Sequence, residues 1–262
     1  MTQPNDQPQF DPYQASGGGM PFLEHLEELR KRLIWSALAV VVGAGGAFYF
    51  SDVLMEFIQK PMGGEPLHNM QVTGTFYAYL KVSLIAGVVA VLPFVFYQMW
   101  AFVAPGLYQR EKAAIIPLLL ISTILFGIGG AFCYLVVLPI AIQFLIGFGD
   151  GTITNYITIG SYINFAGLLI LAFGFSFQLP IVSYFLGKMG VISASFLAKG
   201  RRYAFVIILI VGAIITPPDV ITQLLLAGPI YLLYEISIII VRVVQPKPRE
   251  LLADDNEQPP GP

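Results

Sequence analysis

The chain has 262 residues, of which 56% are hydrophobic and 11% are charged, and its mean hydropathy is +0.74. Soluble domains carry about a quarter of their residues as charges, so this composition excludes a soluble domain and indicates an integral membrane protein. The formal net charge of −2 lies largely in the two ends of the chain and says little about partners. We expect no nucleic-acid partner. A single cysteine, Cys133, excludes an internal disulfide.

The two ends of the chain differ in composition from the middle. Residues 1–20 are rich in Gln, Pro and Gly, and they lack both basic residues and the apolar core of a signal peptide. We therefore expect a disordered N-terminal tail over residues 1–20. Pro, Asp and Glu dominate after Gln245 and predict a second tail over residues 243–262, which leaves residues 21–242 as the membrane domain.

The membrane domain begins with a charged segment, Phe22–Leu33, that leads directly into an apolar run. Four apolar residues at helical spacing form one stripe: Phe22, Leu26, Leu29 and Leu33. Two acid–base pairs stand four residues apart, Glu27 with Lys31 and Glu28 with Arg32. On this segment alone, a helix at the membrane surface whose charges pair with one another is the simpler interpretation.

Several apolar runs are long enough to cross a bilayer, which takes about 20 residues. They are Ile34–Leu54, Phe76–Val103, Ala113–Val137, Tyr162–Leu186 and Val220–Val241. A further run, Tyr203–Ile215, rises only about 20 Å as a helix, against a hydrocarbon core of about 30 Å. We count it as a sixth span that thins the bilayer or recruits flanking residues. A re-entrant segment is the alternative.

The positions of the basic residues favour six spans. Twelve of the 14 Lys and Arg residues then lie on the side of the N-terminus: Arg30, Lys31, Arg32, Arg110, Lys112, Lys188, Lys199, Arg201, Arg202, Arg242, Lys247 and Arg249. Lys60 and Lys81 remain for the other side. The positive-inside rule therefore predicts that both termini are cytoplasmic.

Motifs of nucleotide hydrolysis, zinc hydrolysis and serine catalysis are missing from the sequence, so we do not expect an enzyme. His25 and His68 fall on opposite sides of the membrane in this topology, and no metal or cofactor site is predicted.

Prolines and small residues recur within the spans. Pro93, Pro117, Pro180 and Pro229 predict kinked helices, and several kinks favour a concave bundle. Small residues four apart, Gly43 with Ala47 and Gly127 with Ala131, predict close helix packing.

Two polar residues inside the spans are candidate functional groups, because ionisable and amide side chains are costly in hydrocarbon. Glu235 lies in span six, and a neutral, protonated carboxyl packed against a neighbouring helix is as good an interpretation as a functional role. Gln178 lies near the middle of span four, where an amide can bond to nearby carbonyls at modest cost.

Three segments of this sequence closely resemble the TatC family, the receptor subunit of the twin-arginine protein translocase. They are His25–Leu33 before span one, Tyr97–Glu111 after span two, and the Thr-Pro-Pro-Asp turn at Thr216–Asp219 between spans five and six. The resemblance extends from about Met20 to Arg242. It implies an all-α membrane protein with six transmembrane helices in a cupped bundle, located in the bacterial cytoplasmic (inner) membrane.

The resemblance also implies a role for individual residues. Glu28 and Glu111 match the carboxylates that bind the paired arginines of a signal peptide, with Arg30 and Phe102 beside them. A carboxylate gives a guanidinium bidentate, charge-assisted hydrogen bonds that lysine cannot reproduce, which agrees with a motif that requires arginine.

Partner subunits are implied as well. Thr216 and Gln223 fall where single-span subunits of the TatA and TatB type dock, beside the periplasmic turn formed by Pro217, Pro218 and Asp219. The other implied partners are membrane lipid, twin-arginine signal peptides of folded precursor proteins, and further copies of the chain in the complex.

Gln178 departs from the family pattern, because many relatives carry Glu at this position. A proposal that a protonatable side chain in span four drives transport is therefore in doubt for this chain. Two other interpretations remain open from the sequence: a secondary transporter that binds a small solute or ion at Glu235 and Gln178, and a structural scaffold. The transporter interpretation predicts internal repeats, and we find no convincing similarity between the two halves.

Overall fold

The computed structural model describes residues 22–103, 115–147, 156–216 and 219–245. These residues form the helices α1 (Phe22–Tyr49), α2 (Ser51–Gln59), α3 (Gly74–Val103), α4 (Ile115–Phe132), α5 (Leu138–Gly147), α6 (Ile159–Ser176), α7 (Leu179–Lys188), α8 (Ala194–Ile215) and α9 (Val220–Val244). A 3₁₀ turn, Lys60–Met62, follows α2, and a π-helical segment, Cys133–Val137, joins α4 to α5. The predicted N-terminal tail and residues 246–262 lie outside the described residues. The predicted start of the C-terminal tail at residue 243 is wrong, because α9 continues to Val244.

Five helical segments in the described ranges are long and apolar enough to cross a membrane: Leu23–Tyr49, Gly74–Val103, Ile116–Gly147, Ile159–Lys188 and Val220–Val244. They correspond to the five longer predicted spans. The first differs at both ends, because α1 already begins at Phe22 and ends at Tyr49, and α2 starts anew at Ser51. The charged segment therefore forms the first turns of the first span itself.

The sixth predicted span is longer than the sequence indicated. Helix α8 has 22 residues and rises about 33 Å, because it continues through the basic cluster that precedes Tyr203. It runs antiparallel to α9 along its whole length. Near its start, Leu197 accepts a hydrogen bond from Tyr234, and near its end, the Leu209 carbonyl accepts one from Gln223. The helix therefore does not turn back as a re-entrant segment would.

Contacts between helices define one charged end of the bundle. His25 in α1 stacks on Phe102 in α3, and Trp100 in α3 meets Phe185 in α7 edge-to-face with a centroid separation of 5.0 Å. The backbone amide of Ala194 donates to Oε1 of Gln245 at 2.9 Å. The start of α1, the end of α3, the end of α7, the start of α8 and the end of α9 therefore share this end.

Hydrogen bonds to backbone carbonyl groups hold the opposite end of the bundle together. His68 and Thr158 form an isolated parallel β-bridge, in which the His68 amide donates to Ile157 at 2.8 Å. The Tyr134 hydroxyl donates to the carbonyl of Phe57 at 2.7 Å, and the Tyr162 hydroxyl donates to that of Ile58. These bonds fix α2 and the connections before α3 and α6.

Small residues bring α1 and α3 close together. A Cβ atom at Gly87 would lie 2.5 Å from the Cα atom of Ala44 and 2.7 Å from the carbonyl carbon of Gly43. The predicted packing role of Gly43 is thus confirmed. The prediction is wrong for Gly127, where a Cβ atom would meet nothing within 4 Å among the residues that the structure describes. Gly127 instead lines an open apolar cavity of about 600 Å³ between α2, α3 and α4.

The helix break between α6 and α7 has a local cause. Gln178 is the N-cap residue of α7 and Pro180 stands in its first turn, where proline lacks the amide that a continuous helix would need. Pro93 and Pro229 lie inside α3 and α9, as predicted. The break between α6 and α7 therefore follows from Pro180, whereas α3 and α9 continue through their prolines.

Candidate functional site

The candidate site lies at the charged end, where the start of α1 meets the end of α3. Glu28 and Arg32 are one helical turn apart, and Oε1 of Glu28 accepts hydrogen bonds from Nε and Nη2 of Arg32 at 2.9 and 2.5 Å. Nη1 of Arg32 donates to Oε1 of Gln98 in α3 at 3.1 Å. The predicted Glu28–Arg32 pair is confirmed, and Gln98 fixes it across two helices.

The second carboxylate oxygen of Glu28, Oε2, differs from Oε1 in its hydrogen bonding. Oε2 is buried and accepts no hydrogen bond from any residue that the structure describes. Its neighbour is His25, whose Nδ1 lies 3.8 Å away, beyond hydrogen-bonding distance. The His25 ring stacks on Phe102 with a centroid separation of 4.3 Å and an interplanar angle of 11°. Among the described residues, Glu28 therefore has one hydrogen-bonded oxygen and one oxygen without a donor, which lies beside an aromatic stack.

Buried acceptors without a donor are rare, because such an atom loses its bonds to water without replacement. A vacant carboxylate oxygen beside an aromatic face suits a planar cation, which can donate to the oxygen and stack on the ring. The arrangement is thus chemically fitted to a guanidinium group.

The structure brings only some of the predicted binding residues together. Glu28 and Phe102 both contact His25. Arg30 is exposed and takes part in none of the ion pairs among the described residues. Glu111 lies outside the described residues. The sequence interpretation predicted the pairing of Arg32 with Glu28 but did not assign Arg32 to the site, and it missed His25 and Gln98, although all three stand in the family segments.

Gln178 belongs to a separate polar network inside the bundle. Its Nε2 donates to the carbonyl oxygen of Ser122 at 2.9 Å, and the Ser122 hydroxyl accepts from Nε1 of Trp100 at 3.2 Å. Gln178 is 8% exposed, and its Oε1 has no hydrogen-bond partner among the described residues. The network ties α3, α4 and the α6–α7 break together.

Glu235 does not match the interpretation as a neutral carboxyl packed against a helix. Its two oxygens accept hydrogen bonds from Nε and Nη2 of Arg201 in α8 at 2.7 and 2.8 Å. A bidentate pair of this kind requires the charged carboxylate. The sequence did not show this pairing because Arg201 was placed before the sixth span.

The candidate docking residues also have internal partners. Thr216 is buried, and its hydroxyl donates to the carbonyl of Gly212 at 2.9 Å. Gln223 is half-buried, with Nε2 donating to Leu209 at 2.9 Å. Asp219 caps α9 by accepting from the amide of Thr222 at 2.7 Å. Pro217 and Pro218 lie outside the described residues.

Groups of three or more metal-binding side chains are not found in the described ranges. His25 and His68 lie at opposite ends of the bundle.

The chain is similar to known proteins over most of its length. A family model described as "Sec-independent protein translocase protein (TatC)" matches residues 24–229. The TatC protein of Desulforapulum autotrophicum is 44% identical over 228 residues, which cover 85% of this chain and 84% of the relative. The TatC protein of Aquifex aeolicus is 44% identical over 238 residues, which cover 88% of this chain and 99% of the relative.

A solved structure supports the same assignment. The crystal structure of a twin-arginine translocase receptor, TatC, aligns with a TM-score of 0.79 and 43% sequence identity, over 84% of this chain and 99% of that one. The fold, the family model and the sequence identity agree, and the chain belongs to the TatC family of Sec-independent protein translocase proteins.

Proposed function

We propose that this chain is the signal-peptide receptor and core subunit of a twin-arginine translocase that exports folded proteins. The observation that carries the proposal is the state of Glu28, a partly buried carboxylate whose buried Oε2 accepts no hydrogen bond from the described residues and lies beside the His25–Phe102 stack. A solved relative is named as a twin-arginine translocase receptor. Family membership favours this function over a secondary transporter of a small solute or ion, and a receptor has no need of catalytic residues.

The receptor site combines residues of α1, of α3 and of the segment after α3. Glu28 and Phe102 supply a carboxylate and an aromatic face, Glu111 supplies a second carboxylate from the segment after α3, and Arg30 flanks Glu28 on α1. Two carboxylates match two consecutive guanidinium groups in number. Since a guanidinium offers two parallel N–H donors and an ammonium does not, this site discriminates arginine from lysine.

The membrane orientation follows from the charged end of the bundle. We place this end and both termini in the cytoplasm of a bacterium whose inner membrane holds the six helical spans. The support is the distribution of basic residues, together with the contacts that bring the start of α1, the end of α3 and the end of α9 to one end.

Docking of TatA- and TatB-type subunits is proposed at Thr216 and Gln223, with the Pro217, Pro218 and Asp219 turn beside them. The Gln223 amide lies between α8 and α9 and uses its donor on Leu209, which leaves its oxygen as the acceptor for a partner's polar group. A hydrogen bond between helices in a membrane contributes about 0.6 to 2 kcal/mol. Lipid and further copies of the chain complete the set of proposed partners.

The experiment that tests the receptor function is a binding measurement on the full chain reconstituted in nanodiscs. A peptide with a consecutive arginine pair ahead of an apolar segment is compared with a peptide in which both arginines are lysines. We expect binding of the first and at least tenfold weaker binding of the second. Equal affinity for both peptides would contradict the proposal.

A further inference from the structure

We propose that His25 holds the place of a signal-peptide guanidinium in the empty receptor, and that the incoming arginine displaces it from Phe102. This inference deepens the proposed function and rests on it. It makes His25 a residue that sets both the affinity and the arginine preference of the site.

The first support is the position of the ring. His25 lies flat on Phe102, at a centroid separation of 4.3 Å and an angle of 11°, and its Nδ1 lies 3.8 Å from Oε2 of Glu28. A guanidinium is also planar, stacks on aromatic faces and prefers a carboxylate in its plane. The imidazole therefore occupies the space between Phe102 and Glu28 that a guanidinium would fill.

The second support is that His25 forms no hydrogen bond with Oε2 of Glu28. At 3.8 Å, Nδ1 is too far from Oε2 to form a hydrogen bond, and Oε2 stays without a donor within the described part of the chain. A guanidinium in the same plane has longer reach and several donors, so it can saturate Oε2. Exchange of His25 for arginine thus keeps the stacking contact and adds a charge-assisted hydrogen bond.

Arg32 and Gln98 decide which oxygen the ligand meets. Arg32 directs two donors at Oε1 of Glu28 and is itself held by Gln98, so the carboxylate cannot rotate without breaking its bonds to Arg32. Arg32 and Gln98 are therefore positioning residues, and Oε2 is the oxygen that the signal peptide finds vacant.

The proposal also accounts for discrimination against lysine at this position. An ammonium can approach Oε2, but it has no planar surface to replace the imidazole on Phe102. A lysine peptide must therefore either displace His25 without regaining the stack or bind with His25 still in place.

The test uses the full chain in nanodiscs and the same two peptides. His25→Ala removes the competitor, so the arginine peptide should bind about two- to fivefold more tightly, which is the stacking contribution at an exposed site. His25→Arg supplies an internal guanidinium that reaches Oε2, and it should weaken binding at least tenfold. Phe102→Leu removes the stacking surface and should reduce the ratio of arginine to lysine affinities.

Glu27→Gln is the matched control, because Glu27 is an exposed carboxylate on the same helix that takes part in none of the described ion pairs. It should bind like the parent. Each variant is first compared with the parent by thermal melting, and His25→Asn replaces His25→Ala if the latter does not fold.

Two results would overturn the proposed role of His25. One is weaker or unchanged binding of the arginine peptide by His25→Ala, or by His25→Asn where it replaces that variant. The other is parent-like binding by His25→Arg. The two failures are distinguishable. If the parent chain itself does not prefer the arginine peptide, the proposed receptor function fails. If the parent prefers it and loss of His25 does not tighten binding, only this inference fails.

Discussion

Arg201 in α8 and Glu235 in α9 form a bidentate ion pair, with an Nε–Oε1 distance of 2.7 Å and an Nη2–Oε2 distance of 2.8 Å. One turn away, the Tyr234 hydroxyl donates to Leu197 at 2.7 Å, so three hydrogen bonds hold the start of α8 against the second half of α9. The pair allows α8 to carry charge through its first turns and still continue as one helix. The ion pair therefore joins the last two helices.

We expect Glu235→Gln to weaken the contact between α8 and α9 and to lower the midpoint of thermal unfolding by about 2–4 °C, because the variant lacks the negative charge that pairs with Arg201. Thermal melting of the purified protein measures the effect. The single reversals, Arg201→Glu and Glu235→Arg, should each lower the midpoint of thermal unfolding. The double variant that carries both should have a higher midpoint than either single reversal. A double variant no better than the worse single variant would show that the pair does not hold the helices together.

The close approach of α1 to α3 gives a second prediction. Gly87→Ala would place a Cβ atom 2.5 Å from the Cα atom of Ala44, which the backbone of α1 can relieve only by moving away. We expect a destabilisation of about 1–3 kcal/mol, as for overpacked interiors. Gly127→Ala is the matched control, since its Cβ atom would meet no described neighbour within 4 Å, and its effect should stay within about 0.5 kcal/mol. Equal melting of both variants would contradict the packing argument.

The sequence could predict what depends on local periodicity. The long spans follow from uninterrupted apolar runs, and the Glu28–Arg32 pair follows from a spacing of four residues. The start of α8 was missed because its charges interrupt the apolar run, and Arg201 is compensated by a residue 34 positions away. The rest of the candidate site also depends on contacts between residues that are far apart in the sequence.

The stack of His25 on Phe102 and the bond from Arg32 to Gln98 join residues far apart in the chain, the latter by 66 positions. Such contacts depend on the register between α1 and α3, which small residues set several turns away. The segments were therefore identifiable from the sequence, but the partners of each side chain were not.

Membrane orientation can be tested with single cysteines at two exposed positions. Glu65→Cys lies in the connection after α2, and Ser195→Cys lies in the first turn of α8 at the charged end. Glu65 is preferable to Gly64, whose φ of 94° disfavours any side chain. The native Cys133 is fully buried and should give little background.

An impermeant maleimide added to spheroplasts should label Glu65→Cys, and it should label Ser195→Cys only after the membrane is permeabilised. This outcome follows if the basic residues lie inside. Labelling of Ser195→Cys in intact spheroplasts would reverse the orientation, and labelling of both variants would contradict a charged end on one side.

Gln178 gives the last prediction, because it is a buried polar side chain inside a membrane span. Its amide donates a hydrogen bond to the Ser122 carbonyl from a site that is 8% exposed. A carboxyl group in the same place can make that bond only while it holds its proton, and a bare carboxylate in hydrocarbon is costly. Gln178→Glu should therefore enter the site in its neutral form and preserve transport near neutral pH.

Gln178→Leu should harm transport more than Gln178→Glu, because it removes the donor to Ser122 and with it about 0.5 to 1.5 kcal/mol of stabilisation between α4 and the α6–α7 break. Export of a folded reporter by cells that carry each variant measures the difference, and thermal melting of the purified variants shows whether the network is the cause. A Glu variant that exports like the parent beside a weaker Leu variant means that the site needs a polar contact. An inactive Glu variant beside a fully active Leu variant would show instead that the site requires neutrality, and the role of Gln178 as a fixed hydrogen-bond donor would be wrong.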